Sequence, residues 1–256
     1  MKRWAFLLLL ALLLTSLASP ALALPGFGAG VRGTYWFPDL SATAQSTTAG
    51  VPETKFDVKD DLGVGDENFF QGEGFVRFGR VHVRIGYTQI RFDGSKTLTQ
   101  TIDFNGQTFN VSDNVISRLD VDMLDAEVQI DILRPDLIAA SFYLGLIGKV
   151  KYVDGEVELA STLLSEKQDF QAPIPMVGLA AGAGFLNDFL RVDARVSGMA
   201  YSGNHIYEAD VFASIVPVPF FRLQGGYRYI DLKVDEDDLI ADLDLKGPYV
   251  GVQLSF

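Results

Sequence analysis

The sequence predicts an all-β fold: a transmembrane, antiparallel up-and-down β-barrel of about ten strands, with eight strands as the alternative. Three observations predict it. Apolar and polar residues alternate at period two in about ten segments of the chain. Each segment reaches the roughly 9–11 residues that a tilted membrane strand requires. The connections are alternately short and long, as in barrels that cross a bacterial outer membrane.

The beginning of the chain, residues 1–23, has the pattern of a secretory signal peptide. Two basic residues precede an apolar run over 4–14, and Ala21-Leu22-Ala23 provides the small residues of a cleavage site. The alternative, a membrane anchor helix, requires a longer apolar run to cross about 30 Å of hydrocarbon. No Cys follows the run, which excludes a lipoprotein anchor. We expect cleavage after Ala23 and a barrel domain over 24–256.

Composition narrows the possible functions. The chain contains no Cys, which excludes disulfides and thiolate metal sites. Hydrophobic residues make up 48% of the chain, yet the part that follows the signal peptide has no apolar run of helix-spanning length. This combination is typical of a barrel that turns its apolar face to lipid. The net charge of -12 argues against a nucleic-acid partner. We expect no cofactor and no metal.

The alternating segments define the predicted strands. Between Leu124 and Ile132, for example, every second residue is apolar and the residues between them are charged or amidic. The predicted strands are 27–37, 69–78, 81–92, 119–132, 138–153, 174–186, 189–201, 206–216, 220–232 and 243–256.

The connections predict the orientation of the barrel. Short turns are expected at 79–80, 134–137, 187–188 and 217–219, and longer loops at 38–68, 93–118, 154–173 and 233–242, with a smaller one at 202–205. Outer-membrane barrels place short turns in the periplasm and long loops outside. Asn105-Gly106, between two alternating segments, indicates a hairpin. We expect a β-ribbon that rises above the membrane at this position.

Aromatic residues gather at both ends of the predicted strands, as expected for side chains at the two membrane interfaces. The set near the short turns is Phe27, Phe78, Phe185, Phe189, Phe220, Phe221 and Phe256. The set near the long loops is Tyr35, Phe37, Phe69, Tyr87, Tyr152, Tyr201, Tyr207 and Tyr229.

The last strand ends on an alternating apolar face that finishes with an aromatic residue: Val250, Val252, Leu254 and Phe256. This ending resembles the assembly signal of Gram-negative outer-membrane proteins. The whole chain after the signal peptide resembles a small outer-membrane β-barrel of the OmpA/OmpW-like kind, without an appended periplasmic domain. It departs from the smallest of these in having about ten strands instead of eight. The resemblance implies location in the cell outer membrane, contact with membrane lipid and lipopolysaccharide, and insertion by the barrel assembly machinery.

The polar faces of the strands predict the barrel lumen. Its basic residues are Arg32, Arg77, Arg84, Lys149, Lys151, Arg191, Arg195, Arg222 and Arg228, and its acidic residues are Glu73, Asp125, Glu127, Asp131, Asp193, Glu208 and Asp210. Buried charges persist when they are paired, and small barrels have interiors that side chains can fill. We therefore expect a paired network that fills the lumen. A charge-lined channel is the alternative.

Three functional classes remain open. The first is a non-enzymatic structural component or a narrow passive pore for small solutes and ions. The second is a surface enzyme, omptin-like or lipid A-modifying, that would use His205 with Glu208 and Asp210 and the Asp120-Val121-Asp122 segment. An omptin has Asp two residues before the His, where this chain has Gly203. The third is a binding or adhesion module based on acidic loops, such as 38–68 and the run Asp235-Glu236-Asp237-Asp238.

Overall fold

The computed structural model describes residues 26–48, 51–52, 55–104, 107–135, 140–161, 164–236 and 239–256. The predicted signal peptide lies outside these residues and stays a prediction. The strands in chain order are β1 (Phe27–Trp36), β2 (Asp39–Thr48), β3 (Val51–Pro52), β4 (Phe56–Asp57), β5 (Phe69–Phe78), β6 (Val81–Thr97), β7 (Ile102–Phe104), β8 (Gln107–Phe109), β9 (Asn114–Leu133), β10 (Ala140–Ala160), β11 (Ser165–Phe185), β12 (Leu190–Tyr201), β13 (Asn204–Val218), β14 (Phe221–Glu236) and β15 (Leu239–Ser255). In the described part of the chain, no helix is both long and apolar enough to cross a membrane.

Ten of these strands form a closed antiparallel barrel. Their order around the wall is β1-β5-β6-β9-β10-β11-β12-β13-β14-β15, and β15 pairs with β1 from Gly30↔Ser255 to Trp36↔Tyr249. Each predicted segment coincides with one wall strand, which confirms the fold class and the count of ten instead of eight. Closure leaves no unpaired edge within the membrane, where water cannot satisfy backbone groups.

Several wall strands are longer than the sequence predicted. β9 has 20 residues and β10 and β11 have 21 each. The predicted loops at 93–118 and 154–173 are therefore largely strand. β2 also extends the wall beside β15 where β1 has ended. It pairs with β15 from Asp39↔Lys246 to Ser46↔Leu239. The barrel wall continues well beyond the length that a membrane requires.

The expected β-ribbon around Asn105-Gly106 forms, and it folds over the barrel interior. β7 and β8 pair from Ile102↔Phe109 to Phe104↔Gln107, and residues 105–106 lie outside the described part. Ile102, Phe104 and Phe109 are buried instead of projecting into water. The reason is that the ribbon packs its apolar face over the barrel interior.

The polarity of the wall inverts halfway along the strands. On β9, the outward side chains from Leu124 to Ile132 are apolar, whereas the inward ones from Asp125 to Asp131 are polar and buried. Above this point the outward side chains are Arg118, Asp120 and Asp122, while the inward Val121 and Met123 are buried. β10 inverts at the same height, at Tyr152 and Val153, and so does β6. On β11 only the outward face changes polarity, because its inward residues nearer the short turns are Met, Gly and Ala.

The inversion marks one edge of the membrane band. Tyr87 and Tyr152 both face outward and pair with Leu124 in the sheet. The ten residues 124–133 extend about 33 Å along the strand at about 3.3 Å each. A tilt near 45° reduces this to about 23 Å, close to the apolar band of roughly 25 Å found in outer-membrane barrels. Phe69, expected in the aromatic belt, is buried inside the barrel instead.

Candidate functional site

The barrel interior contains three successive levels. An apolar core fills the half nearer the long loops, which we name the long-loop half. An ionic layer lies across the middle, and a vestibule opens at the short-turn end. The apolar core comprises Trp36, Leu40, Ala42, Phe56, Leu62, Val64, Phe69, Ile90, Phe92, Leu98, Ile102, Phe104, Phe109, Val115, Val121, Met123, Val153, Leu159, Ile230, Leu245 and Tyr249. The ionic layer comprises Arg32, Glu73, Arg84, Asp125, Glu127, Lys149, Lys151, Arg195, Glu208, Asp210 and Arg228.

The apolar core is built from both wall strands and loops. Phe69 packs edge-on against Phe92 with ring centroids 5.1 Å apart, and against Trp36 at 6.3 Å. Phe92 and the ribbon residue Phe109 are each 0% exposed. The loop after β2 contributes further apolar side chains, and a bridge from Val64 to Gly94 ties it to the wall. Residues distant in sequence thus combine into one core, as in a water-soluble protein.

The ionic layer begins directly below this core. Lys151 is 0% exposed; its Nζ lies 3.9 Å from the Met123 Sδ on the core side. On the other side it lies 2.7 Å from Asp125 Oδ1 and 3.0 Å from Glu208 Oε1. Lys149 also bonds to Glu208 and lies 3.5 Å from Asp125. Two lysines and two carboxylates therefore compensate one another at a site without bulk water.

A second group continues the layer around Asp210. Arg195 Nη2 donates to Asp210 Oδ2 at 2.7 Å, and Arg195 Nη1 lies 3.4 Å from Glu73 Oε2. Tyr249 Oη donates to Asp210 at 2.7 Å and accepts a hydrogen bond of the same length from Arg32. Tyr249 belongs to the apolar core by its ring and to the ionic layer by its hydroxyl.

The vestibule is a cavity of about 480 Å³ at the short-turn end. His82 Nε2 lies 3.0 Å from Asp131 Oδ2. Arg191 lies 3.3 Å from Asp188 and 3.2 Å from Asp193. Carboxylates on this level therefore already have basic partners.

The structure separates the predicted lumen residues into two groups. Arg32, Arg84, Asp125, Glu127, Arg195, Glu208, Asp210 and Arg228 belong to the ionic layer, whereas Arg77, Asp131, Arg191, Asp193 and Arg222 line the vestibule. Arg222, expected to pair with a carboxylate, instead donates to Ser214 Oγ at 3.1 Å. Two neutral partners of the charged residues were not predicted: Tyr249, and Gln71, which accepts a hydrogen bond from Arg228 at 2.6 Å. The apolar core was not predicted either.

The residues considered for catalysis do not converge. His205 lies on β13 instead of in a loop, and its Nε2 lies 3.1 Å from Asp231 Oδ1. Its ring packs beside that of Tyr207, an outward residue. Asp120 and Asp122 also face outward, on β9, where both pair with Arg91. Glu208 and Asp210 point inward, so the wall separates them from His205.

The acidic loop after β2 is held by its own charges. Lys59 Nζ donates to Asp66 at 2.8 Å and to Asp39 at 2.9 Å, and the Leu40 amide donates to Asp66. The hydrogen bond from Lys59 holds the pKa of the Asp66 carboxyl below its usual range, and the two carboxylates raise the pKa of Lys59. Among the described residues, no group of His, Cys, Asp and Glu has the arrangement of a metal site. Residues 237–238 of the last acidic run lie outside the described part.

The predicted assembly residues Val250, Val252 and Leu254 face outward on β15, and Phe256, which directly follows the strand, is 62% exposed. The Phe256 amide donates to Ala29 at 2.8 Å, and its ring stacks on Phe220 at 6.2 Å. Their recognition by the assembly machinery stays a prediction.

No protein-family model matches the chain, and no curated protein is significantly similar to it. Among solved structures, the outer membrane protease OmpT from Escherichia coli is 10% identical with a TM-score of 0.50, and the match covers 93% of this chain and 99% of that one. Ail, the attachment invasion locus protein of Yersinia pestis, is 14% identical with a TM-score of 0.37, covering 90% and 99%. Neisserial surface protein A is 14% identical with a TM-score of 0.36, covering 90% and 97%. At this identity the likeness to OmpT concerns the fold alone, and this chain has the fold of an outer-membrane β-barrel.

Proposed function

We propose that this protein is a closed, non-enzymatic structural barrel of the outer membrane that carries a folded surface extension. The apolar core across the long-loop half is the observation that supports the proposal. An ion that crossed it would lose its hydration without gaining polar partners, which is strongly unfavourable. Of the two roles first considered, the core favours a structural component over a narrow passive pore.

The proposed absence of catalysis is supported by the placement of the histidines. His205 lies on the outer surface with Asp231 as its partner, and His82 contacts Asp131 at the opposite end of the barrel. Neither histidine has a described hydrogen bond to a Ser or Thr hydroxyl, the contact that would mark an activated nucleophile.

Planar-bilayer recordings of the purified protein test the closed state. The unmodified protein should show no regular single-channel openings. Replacing Phe92, Val121 and Val153 together by Ser should produce openings, because three apolar side chains of the core become small and polar. The matched control replaces their sequence neighbours Arg91, Asp122 and Asp154 by Ser.

The control residues lie at the same height on the same strands but face outward, so the control should stay silent. Slower migration of heated samples on a gel would verify that each variant is a folded barrel. Steady openings of the unmodified protein would contradict the proposal.

A further inference from the structure

The vestibule contains arginines without carboxylate partners. Arg77 on β5 and Arg222 on β14 both line the cavity, yet within the described residues neither has a carboxylate at ion-pair distance. The Arg222 Nε is buried and has no hydrogen-bond partner there. An unpaired buried donor of a charged group is costly, so such a group requires an explanation.

The neighbouring carboxylates are in direct contact with other partners. Asp188 and Asp193 already contact Arg191, and Asp131 contacts His82 and accepts a hydrogen bond from Gln129. Arg191 repels Arg222 electrostatically more than either Asp193 or Asp188 attracts it, and Arg77 adds a smaller repulsion. Another arginine of the cavity, Arg134, donates to the Gly79 carbonyl at 3.0 Å and forms no ion pair with a carboxylate of the described residues. The mouth of the cavity therefore carries an excess of positive charge, although the whole chain is acidic.

The wall strands between Arg77 and Arg222 present small inward residues at the mouth of the cavity. Arg77 pairs with Gly28 on β1, and its guanidinium lies over this glycine, within 3.7 Å of where a Cβ would stand. Arg222 pairs with Gln253 on β15, and Ser255 is the next inward residue toward the mouth. Gly28 and Ser255 therefore add little bulk there. The ionic layer and the apolar core close the cavity at its inner end. The cavity is therefore closed at one end, so it can bind a ligand but cannot let it cross the barrel.

We propose that the vestibule is a binding site for a small multivalent oxyanion, with Arg77 and Arg222 as its principal ligands. A guanidinium group presents paired N–H donors that match the oxygens of a phosphate or carboxylate group. The ligand enters from the short-turn end, which the layout of outer-membrane barrels places in the periplasm. It neutralises the excess positive charge at the mouth of the cavity.

Calorimetric titration of the purified full chain in detergent tests this site. The probes are inorganic pyrophosphate and citrate, with sodium chloride at matched ionic strength as the reference. Binding of one or both probes is expected, and the tighter one identifies phosphate or carboxylate as the preferred class. Arg77→Gln and Arg222→Gln should each weaken binding about tenfold or more, the usual effect of losing a hydrogen bond to a charged group.

Arg80→Gln is the matched control, since Arg80 lies at the same end but does not line the cavity. It should leave binding unchanged. A second measurement needs no ligand: at low salt, the Arg77→Gln/Arg222→Gln double variant should melt at a higher temperature than the unmodified protein, because charge repulsion is relieved. No binding beyond the chloride reference would overturn the proposal. Equal weakening by Arg80→Gln, or a double variant that melts lower without anion, would do so as well.

Discussion

The two halves of the barrel consist of the same strands but follow opposite rules. In the short-turn half, β9 presents Val128 and Ile130 outward and buries Glu127 and Gln129 inside. In the long-loop half, the same strand buries Val121 and turns polar side chains outward. The backbone pairing continues unchanged across the inversion.

The surroundings of the wall, and not the strand geometry, therefore determine which face is apolar. Lipid outside the short-turn half makes an apolar exterior favourable and leaves the polar residues to pair within. Water outside the long-loop half restores the ordinary hydrophobic effect, which favours an apolar interior. The ionic layer lies where these two arrangements meet.

Cysteine labelling tests where the lipid-facing exterior ends and the water-facing exterior begins, because each thiol should either react or not react. The chain contains no Cys, so single variants carry one thiol each. In reconstituted protein, a water-soluble maleimide should label the Asp122→Cys variant and not the Val128→Cys variant, since the latter faces lipid. Both should react after unfolding, which controls for intrinsic reactivity. Equal labelling of the two folded proteins would remove the boundary between the halves.

Truncating one aromatic side chain in each half should lower the free energy of unfolding by different amounts. Phe92→Ala leaves a cavity in the apolar core and should lower the free energy of unfolding by about 3–5 kcal/mol. Phe142→Ala removes an outward side chain, and lipid can fill its place, so about 1 kcal/mol is expected. Urea unfolding in detergent micelles measures both. Similar costs would show that the long-loop half is not packed as a core.

The sequence predicts the features that depend on neighbouring residues, and it does not predict those that depend on contacts between residues distant in the chain. The period-two pattern is local, so it predicts the strands and which of their side chains point into the lumen. The inversion also leaves a local signal: two adjacent apolar residues, as at Met123-Leu124 and Tyr152-Val153, break the alternation. The predicted strand 119–132 runs through this break as a strand of one polarity, and the predicted loop 154–173 begins directly after the break on β10, so neither prediction uses the signal.

The composition of the core could not be read in the same way. Phe56 on β4 and Phe109 on β8 join it from segments that were predicted as loops, and their burial depends on contacts with wall residues distant in sequence. The sequence likewise predicts which charged side chains face the lumen, but not which residues they pair with. Arg195 and Arg222 are equivalent in the pattern, yet Arg195 contacts three carboxylates and Arg222 donates to a serine. Partner choice follows from the shape of the closed lumen.

The junction between the halves should be sensitive to loss of a single charge. Lys151→Met leaves Asp125 and Glu208 with one partner fewer in a buried site, and should cost about 3–5 kcal/mol in unfolding free energy. Adding Asp125→Asn restores the charge balance, so the double variant should be more stable than Lys151→Met alone. Thermal unfolding in micelles compares them. Additive losses would indicate that the layer is hydrated and its charges independent.

The smallest effect is expected at the surface of the long-loop half, in the contact of Lys59 with Asp39 and Asp66. Both partners are substantially exposed, so Lys59→Met should destabilise this loop by at most about 1 kcal/mol. Because the Asp66 pKa is lowered, its contribution is present above the ordinary carboxyl pKa of about 4 and is lost as pH falls through the lowered value. Because the Lys59 pKa is raised, its contribution is present below about 10.4 and is lost as pH rises through the raised value.

The contact should therefore hold across neutral pH and open in strong acid. Hydrogen exchange of the Leu40 amide, which donates to Asp66, reports on it directly. After correction for intrinsic exchange rates, protection of this amide should fall on acidification in the unmodified protein and be low throughout in the Lys59→Met variant. Lys55→Met, which removes the same charge from the same loop, is the control and should behave like the unmodified protein. Protection that is independent of both pH and Lys59 would show that apolar packing of Leu40 alone holds the loop, as it holds the rest of the long-loop half.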